Sequence, residues 1–159
     1  MTRVGIGYDI HRLSISRRLV LGGVEIPASA GLEGHSDADV LLHAAMDALL
    51  GAAALGDIGA HFPPDDDRFR GVSSLDLLAR VRDLLARAGY RVVNLDCMVV
   101  AEAPAIGPYI PLMQQRIAGV LGIDALAIGI KATTNEGLGP EGRNEAISAQ
   151  AVALVETAE

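Results

Sequence analysis

Hydrophobic and small or polar positions alternate from Thr2 to His11. Val4, Ile6 and Tyr8 share one parity, and Gly5, Gly7, Asp9 and His11 share the other. A period of two predicts a strand, over residues 3–9. Leu19-Val20-Leu21 and Val24-Glu25-Ile26 flank Gly22-Gly23 and predict a hairpin on a two-glycine turn. Ser36 and Asp39 then have the form of a capping box, with Ser36 as N-cap. Val40, Leu41, Ala44, Ala45, Ala48 and Leu49 behind it form a stripe at helical spacing, predicting a helix over 37–55 that ends at Gly56. Residues 57–72, rich in Gly, Pro and Asp, predict a mobile loop. A second helix is capped at Ser73 or Ser74 and carries Leu75, Leu78, Val81, Leu84 and Leu85, with Gly89 past its end. A strand over 91–101, a helix over 111–121 opened by Pro111, and a strand over 126–132 follow. The polar turn Thr133 to Gly137 leads to a last segment, about 143–156, rich in Ala and Val and predicted as a helix with two apolar faces.

These elements predict an α+β fold in one domain, residues 1–159. Its core is a mostly four-stranded mixed sheet plus the hairpin, covered by helices on one face. The strand over 91–101 is apolar at both parities, which predicts that the sheet's other face is covered by oligomerisation. Aromatics make up only 3% of residues, so the core is built from Ala, Val, Leu and Ile. No apolar run reaches the length of a membrane span. The N-terminus enters a strand at once, which leaves no room for a leader, and Cys97 is the only cysteine; both predict a cytoplasmic home. Cys97 itself reads as a small core residue. The net charge of −7 and the lack of any basic cluster longer than Arg17-Arg18 argue against nucleic acid as a partner.

The candidate chemistry starts at Asp9 and His11. Two residues apart in a strand, they project from one face, and the glycines beneath them leave room for a ligand or a backbone to approach. His43 lies beside the helix stripe, with Asp39 and Asp47 four residues away on either side. A carboxylate one turn away predicts a partner that fixes the tautomer of a ligating imidazole, and Asp47 is assigned that part. One carboxylate and two imidazoles can hold one divalent metal and leave a position open, with zinc favoured over iron or manganese. A partly buried helix histidine with an acidic neighbour is the alternative. His35-Ser36-Asp37 serves either a phosphate at the helix start or an ordinary turn. Asp57 serves either substrate hydroxyls or turn chemistry. Lys131 to Glu136 places a cation, two hydroxyls and a carboxylate at a strand end, suited to a phosphate and a second hard cation. Arg143 and Glu145 can pair, and His61 has no partner in this reading.

Five segments occur in order: Gly5-x-Gly7-Tyr8-Asp9-Ile10-His11, Gly22-Gly23-Val24-x-Ile26-Pro27, His35-Ser36-Asp37-x-Asp39-Val40, Gly56-Asp57-Ile58-Gly59 and Lys131-Ala132-Thr133-Thr134-x-Glu136. Together they closely resemble the 2-C-methyl-D-erythritol 2,4-cyclodiphosphate synthase family of the non-mevalonate isoprenoid pathway. The resemblance implies a ferredoxin-like, chorismate-mutase-like subunit in a homotrimer, with active sites between neighbouring subunits. It implies conversion of 4-diphosphocytidyl-2-C-methyl-D-erythritol 2-phosphate to the cyclic diphosphate and CMP. By the same resemblance, Asp9, His11 and His43 hold Zn²⁺, and Glu136 helps hold Mg²⁺ or Mn²⁺. His35 and Thr134 orient the attacked phosphate, assisted by Ser36, with Lys131 and Asn135 alongside. Asp57, Ile58 and Gly59 contact the erythritol, under a mobile cover of Phe62, Pro63, Pro64, Asp65 and Asp66. Ala101, Glu102, Ala103, Pro104, Ala105, Ile106 and Gly107, with Thr133, form the cytidine pocket. Arg143 faces a central trimer cavity near Pro140. Some members carry Lys at the position of Ala105, Leu at Gly107, Phe at Pro140 and Asp at Pro64. A trimeric binding module without turnover and a zinc phosphohydrolase are the competing readings.

Overall fold

The computed structural model describes residues 1–158. Strand β1 (Thr2–Ser14) runs past the predicted end and carries both Asp9 and His11 in its middle. The glycine hairpin, β2 (Leu19–Leu21) and β3 (Val24–Ile26), forms as predicted but as a separate two-stranded sheet. A short β4 (Gly31–Leu32) follows, then helix α1 (Val40–Ala52) and the single-turn α2 (Ile58–His61). Next come α3 (Ser74–Arg87), β5 (Tyr90–Val100), α4 (Ile110–Leu121), β6 (Ile128–Thr133), the single-turn α5 (Gly139–Gly142) and β7 (Ala146–Thr157).

The last segment corrects the sequence reading: residues 146–157 are a strand, not a helix. The five-stranded sheet has the order β4-β1-β7-β5-β6, so β7 lies at its centre. It pairs antiparallel with β1 and β5, while β5 and β6 are parallel. The alanines that favoured a helix have another use here. Ile147, Ala149, Ala151, Ala153 and Val155 share one parity and are all buried on the side that carries α1. Small side chains there let the helix lie close, and tertiary packing overrides local propensity.

The same close approach explains Gly5 and Gly7. A Cβ at Gly5 would fall 2.0 Å from the Ala48 carbonyl oxygen, and one at Gly7 would fall 1.9 Å from that of Ala44. The bare strip of β1 therefore receives the backbone of α1. Gly5, Gly7 and Asp9 descend one face of the strand as Ala48 and Ala44 give way to His43 on the helix.

Helix α1 begins three residues later than predicted, because its N-cap is Asp39 and not Ser36. Asp39 Oδ1 accepts from Leu42 N at 3.0 Å and Gly22 N at 3.0 Å, and Oδ2 accepts from Gly23 N at 2.7 Å. Gly22 and Gly23 both have positive φ (58° and 74°), which turns their N–H groups onto this carboxylate. Burial, and then the neighbouring Asp37 charge, push the Asp39 carboxyl up to about 6 against those donors. In α3, Ser73 is the cap, and Gly89 follows the helix at φ 81°, as the sequence predicts. Cys97 is buried, and its thiol is pushed up to about 12 by burial.

The sheet face away from the helices is open. Val4, Ile6 and Tyr8 on β1 are 66%, 73% and 55% exposed, and Val152 on β7 is 46% exposed. Register places Ile6 beside Val152 and Tyr8 beside Gln150, so the apolar residues form one patch.

Gly7→Ala is expected to destabilise the chain by about 3 kcal/mol, because the new methyl meets a helix carbonyl that cannot give way. Gly51→Ala, in the same helix with its nearest foreign atom 3.9 Å from the added carbon, is expected to be neutral or stabilising by up to about 1 kcal/mol. Denaturant unfolding of the two variants checks the contrast; equal effects would contradict the close-approach account.

Candidate metal centre

Asp9 and His11 leave the same face of β1, and His43 comes down to them from the first turn of α1. Asp9 Oδ2 lies 2.7 Å from His11 Nε2 and 3.1 Å from His43 Nδ1, and the two ring nitrogens are 3.2 Å apart. Metal–ligand bonds of about 2.0 Å in a tetrahedron space donors roughly 3.3 Å apart, close to these values. These three residues are the one metal-competent cluster among the described residues.

The outward ring nitrogens are engaged, which fixes the tautomers. His11 Nδ1 donates to the Glu33 carbonyl at 2.5 Å, leaving Nε2 to face inward. His43 Nε2 lies 3.1 Å from Ser36 Oγ and 3.2 Å from Ser74 Oγ, leaving Nδ1 inward. Asp47 does not take the part assigned to it: its Oδ1 accepts from Ile58 N at 2.8 Å and anchors α2 instead. A helix i,i+4 carboxylate cannot reach a ring that points off the helix into the sheet. The other oxygen of Asp9, Oδ1, accepts from Ile10 N at 2.9 Å. Burial raises the Asp9 carboxyl, but its hydrogen bonds to His11 and His43 and their charges outweigh this and hold it at about 2. Burial lowers the His11 pKa, yet Asp9 and the Glu33 carbonyl outweigh it and raise it above that of a free imidazole. One oxygen and two imidazole donors with fixed tautomers fit zinc well.

The three donors open into a cavity of about 270 Å³ that is also lined by His35, Ser36, Ile58, Gly59, Phe62, Pro64, Phe69 and Leu77. Phe69 and Leu77 escape the sequence reading, because a loop phenylalanine and a helix leucine carry no polar signal. The predicted loop contains two short helical turns of its own. Asp57 caps α2 by accepting from Ala60 N at 2.9 Å, which is the turn-chemistry alternative. Asp66 caps a 3₁₀ turn over Asp67–Phe69, and its carbonyl accepts from His35 Nε2 at 3.1 Å. Phe62 and Phe69 meet edge to face. Pro63 and Asp65 lie in the same loop but outside the cavity lining. His61, read as partnerless, donates from Nε2 to the Leu55 carbonyl at 2.8 Å.

A second cavity, about 530 Å³, lies at the C-terminal ends of β5 and β6. Ala101, Glu102, Ala103, Pro104, Ala105, Ile106 and Gly107 line it with Ile110, Ala132, Thr133 and Thr134. Within one chain the two cavities share no lining residue, so His35 and Thr134 are not brought together. Lys131 is separate again: it points onto the open sheet face and pairs with Asp96 at 2.5 Å. Thr134 Oγ1 accepts from Glu136 N at 3.2 Å, and Glu136 sits at positive φ (50°). Asn135 Nδ2 donates to Glu141 at 3.4 Å, an internal tie within the α5 turn that also contains Pro140. Arg143 pairs with Glu145 at 2.9 Å on the surface.

Loading the centre needs the inward Nε2 of His11 free of a proton, and Asp9 and the Glu33 carbonyl, by raising the His11 pKa, make protons compete with the metal there. Zinc affinity is therefore expected to weaken as pH falls from about 8 to about 6, with growing proton release per zinc bound. Calorimetry in buffers of different ionisation enthalpy checks this; pH-independent affinity would contradict it.

The YgbB family model matches residues 2–156. The 2-C-methyl-D-erythritol 2,4-cyclodiphosphate synthase of Symbiobacterium thermophilum is 64% identical over 152 residues, which is 96% of this chain and 97% of that protein. That of Syntrophomonas wolfei is 60% identical over 156 residues, 98% of this chain and 99% of the relative. Among solved structures, Plasmodium falciparum IspF in complex with CDP is 34% identical, with a TM-score of 0.87 over 99% of this chain and 97% of that one. The bifunctional IspDF of Campylobacter jejuni is 38% identical, with a TM-score of 0.95 over 99% of this chain and 42% of that longer one. With nearly all of its length matched, this chain belongs to the YgbB family, the family of the 2-C-methyl-D-erythritol 2,4-cyclodiphosphate synthases it resembles.

Proposed function

We propose that this chain converts 4-diphosphocytidyl-2-C-methyl-D-erythritol 2-phosphate into the cyclic diphosphate and CMP. The observation that carries the reading is the convergence of Asp9, His11 and His43 at the mouth of a cavity that also holds His35 and Ser36. Zinc bound there supplies positive charge to a phosphate oxygen in the open position.

The bond that forms joins an oxygen of the substrate's own 2-phosphate to the β-phosphorus. The bond that breaks joins that phosphorus to the oxygen bridging it to the α-phosphorus, and CMP leaves with that oxygen. No side-chain nucleophile is needed, so the chain's task is positioning and charge. A held intramolecular geometry is worth roughly 7–11 kcal/mol of barrier. Ser36 offers an O–H group to the phosphates from the region leading into α1, and His35 stands beside it, its ring held by the Asp66 carbonyl. Ile58, Phe62, Phe69 and Leu77 keep water from the reacting centre, while Gly59 lets the erythritol approach the backbone of α2. Ala101 to Gly107 with Thr133 form the cytidine pocket, whose small side chains leave room for a flat base. Thr134 steadies the diphosphate, and Glu136 would help hold a Mg²⁺ or Mn²⁺ ion, which would supply positive charge to it.

His35 and Thr134 lie in different cavities of one chain, so the complete site needs the first cavity of one subunit and the second of a neighbour. A homotrimer closed over the apolar sheet face would supply that juxtaposition and cover Val4, Ile6 and Tyr8. Arg143 and Pro140 then face the central cavity. No helix among the described residues is long and apolar enough to cross a membrane, which is compatible with a cytoplasmic enzyme.

Incubation of the purified protein with the diphosphocytidyl substrate, zinc and Mg²⁺ is expected to release CMP and give the two coupled signals of a cyclic diphosphate by phosphorus NMR. Inorganic phosphate in place of the cyclic product would favour a phosphohydrolase, and no turnover would favour a binding module. His43→Ala is expected to lose both zinc and turnover; one zinc retained per chain would remove His43 from the ligand set. Light scattering is expected to give three chains per particle.

A further inference from the structure

His43 has two hydroxyls within reach of its outward nitrogen, and they are not equivalent. Ser36 Oγ lies at 3.1 Å, already accepts from Ala38 N at 3.2 Å, and lines the cavity. Ser74 Oγ lies at 3.2 Å, is 0% exposed, and does not line the cavity. The hydroxyl proton of Ser74 is committed elsewhere: Oγ donates to Asp37 Oδ1 at 2.5 Å, and the Ser74 backbone N donates to Asp37 Oδ2 at 2.9 Å. With its proton taken, Ser74 offers His43 only lone pairs.

We propose that Ser74, held by Asp37, is the positioning residue that orients His43 toward the metal. This inference rests on the reading of Asp9, His11 and His43 as one centre. For Nδ1 to present a lone pair beside Asp9 Oδ2, the ring proton must sit on Nε2 and find an acceptor. Ser74 is that acceptor, and the carboxylate behind it makes its oxygen a better one. The chain Asp37–Ser74–His43 fixes both the tautomer and the rotation of the ring. It also ties the N-terminus of α3 to the metal centre across a sequence separation of 31. The arrangement frees Ser36: with the imidazole held from behind, the Ser36 hydroxyl proton can turn into the cavity toward a substrate oxygen. Two adjacent hydroxyls thus divide the work, one buried and holding the ring, the other lining the cavity and facing the ligand.

The test measures zinc affinity by competition with a chromophoric chelator at one pH, without substrate. Ser74→Ala is expected to weaken zinc binding by about 10- to 100-fold. Ser36→Ala is expected to change it by less than about threefold. Nitrogen-15 NMR of the loaded protein adds a signature that a merely structural role would not move. The His43 Nε2 proton, protected in the unaltered chain, is expected to exchange rapidly in Ser74→Ala. Should Ser74→Ala fail to fold, Asp37→Asn, which keeps the shape and removes the charge, is expected to weaken zinc binding in the same direction. A Ser74→Ala loss below 10-fold, or one no larger than that of Ser36→Ala, overturns the proposal; so does an unchanged affinity in Asp37→Asn where that variant stands in. If the unaltered chain takes up no zinc, or His43→Ala takes it up normally, the metal-centre reading fails instead.

Discussion

The backbone contact between β1 and α1 sets the geometry on which the rest of the structure depends. Gly5 and Gly7 have no side chain, so the carbonyls of Ala48 and Ala44 come to where a Cβ would otherwise be. The alanines of β7 extend that low surface across the centre of the sheet. At the end of this seam the packing distance is short enough for His43 Nδ1 to come within 3.1 Å of Asp9 Oδ2. Two more ordinary side chains in place of the glycines would lift the helix, and the three donors would no longer converge. The metal centre is thus a consequence of how closely one helix lies on one strand. It sits on regular elements, not loops, which is how a donor set is held to a few tenths of an ångström.

The second constraint is electrostatic. On the proposed function, an acidic chain carrying −7 holds a polyanionic substrate. It has little fixed positive charge at the first cavity, where His35 is the only basic side chain apart from the two imidazoles of the metal centre. Arg68 and Arg70 in the covering loop are paired with Asp66 and Asp67, and Lys131 is paired with Asp96. On that reading, bound cations, neutral N–H and O–H donors and fixed imidazoles would carry the recognition of phosphate. The carboxylates at the start of α1 have structural posts instead: buried Asp39 joins the hairpin to α1, and half-buried Asp37 joins the segment before α1 to α3.

Much of this was legible in the sequence, and the failures have physical causes. Asp9 and His11 follow from a period of two, and His43 from a period of 3.6, so the sequence places each donor on its element. It cannot show that Gly5 and Gly7 serve a helix backbone and not a ligand. Residues 146–157 read as a helix because alanine is the best helix former, while the structure uses alanine there for its size. Ser36 reads as a cap because Asp39 stands three residues on, yet Asp39 itself caps the helix. Ser74 carries only a capping signal, and its contact with His43 spans a separation of 31 positions that no local pattern connects. Phe69 and Leu77 reach the cavity through tertiary packing alone.

The central claim is that Asp9, His11 and His43 hold one divalent metal with a position open to the cavity. X-ray absorption at the zinc edge of the loaded, substrate-free protein tests it most directly. The account predicts two imidazoles and oxygen donors at about 2.0–2.1 Å, with no sulfur in the shell. A sulfur at about 2.3 Å, or a shell without imidazole, would contradict it.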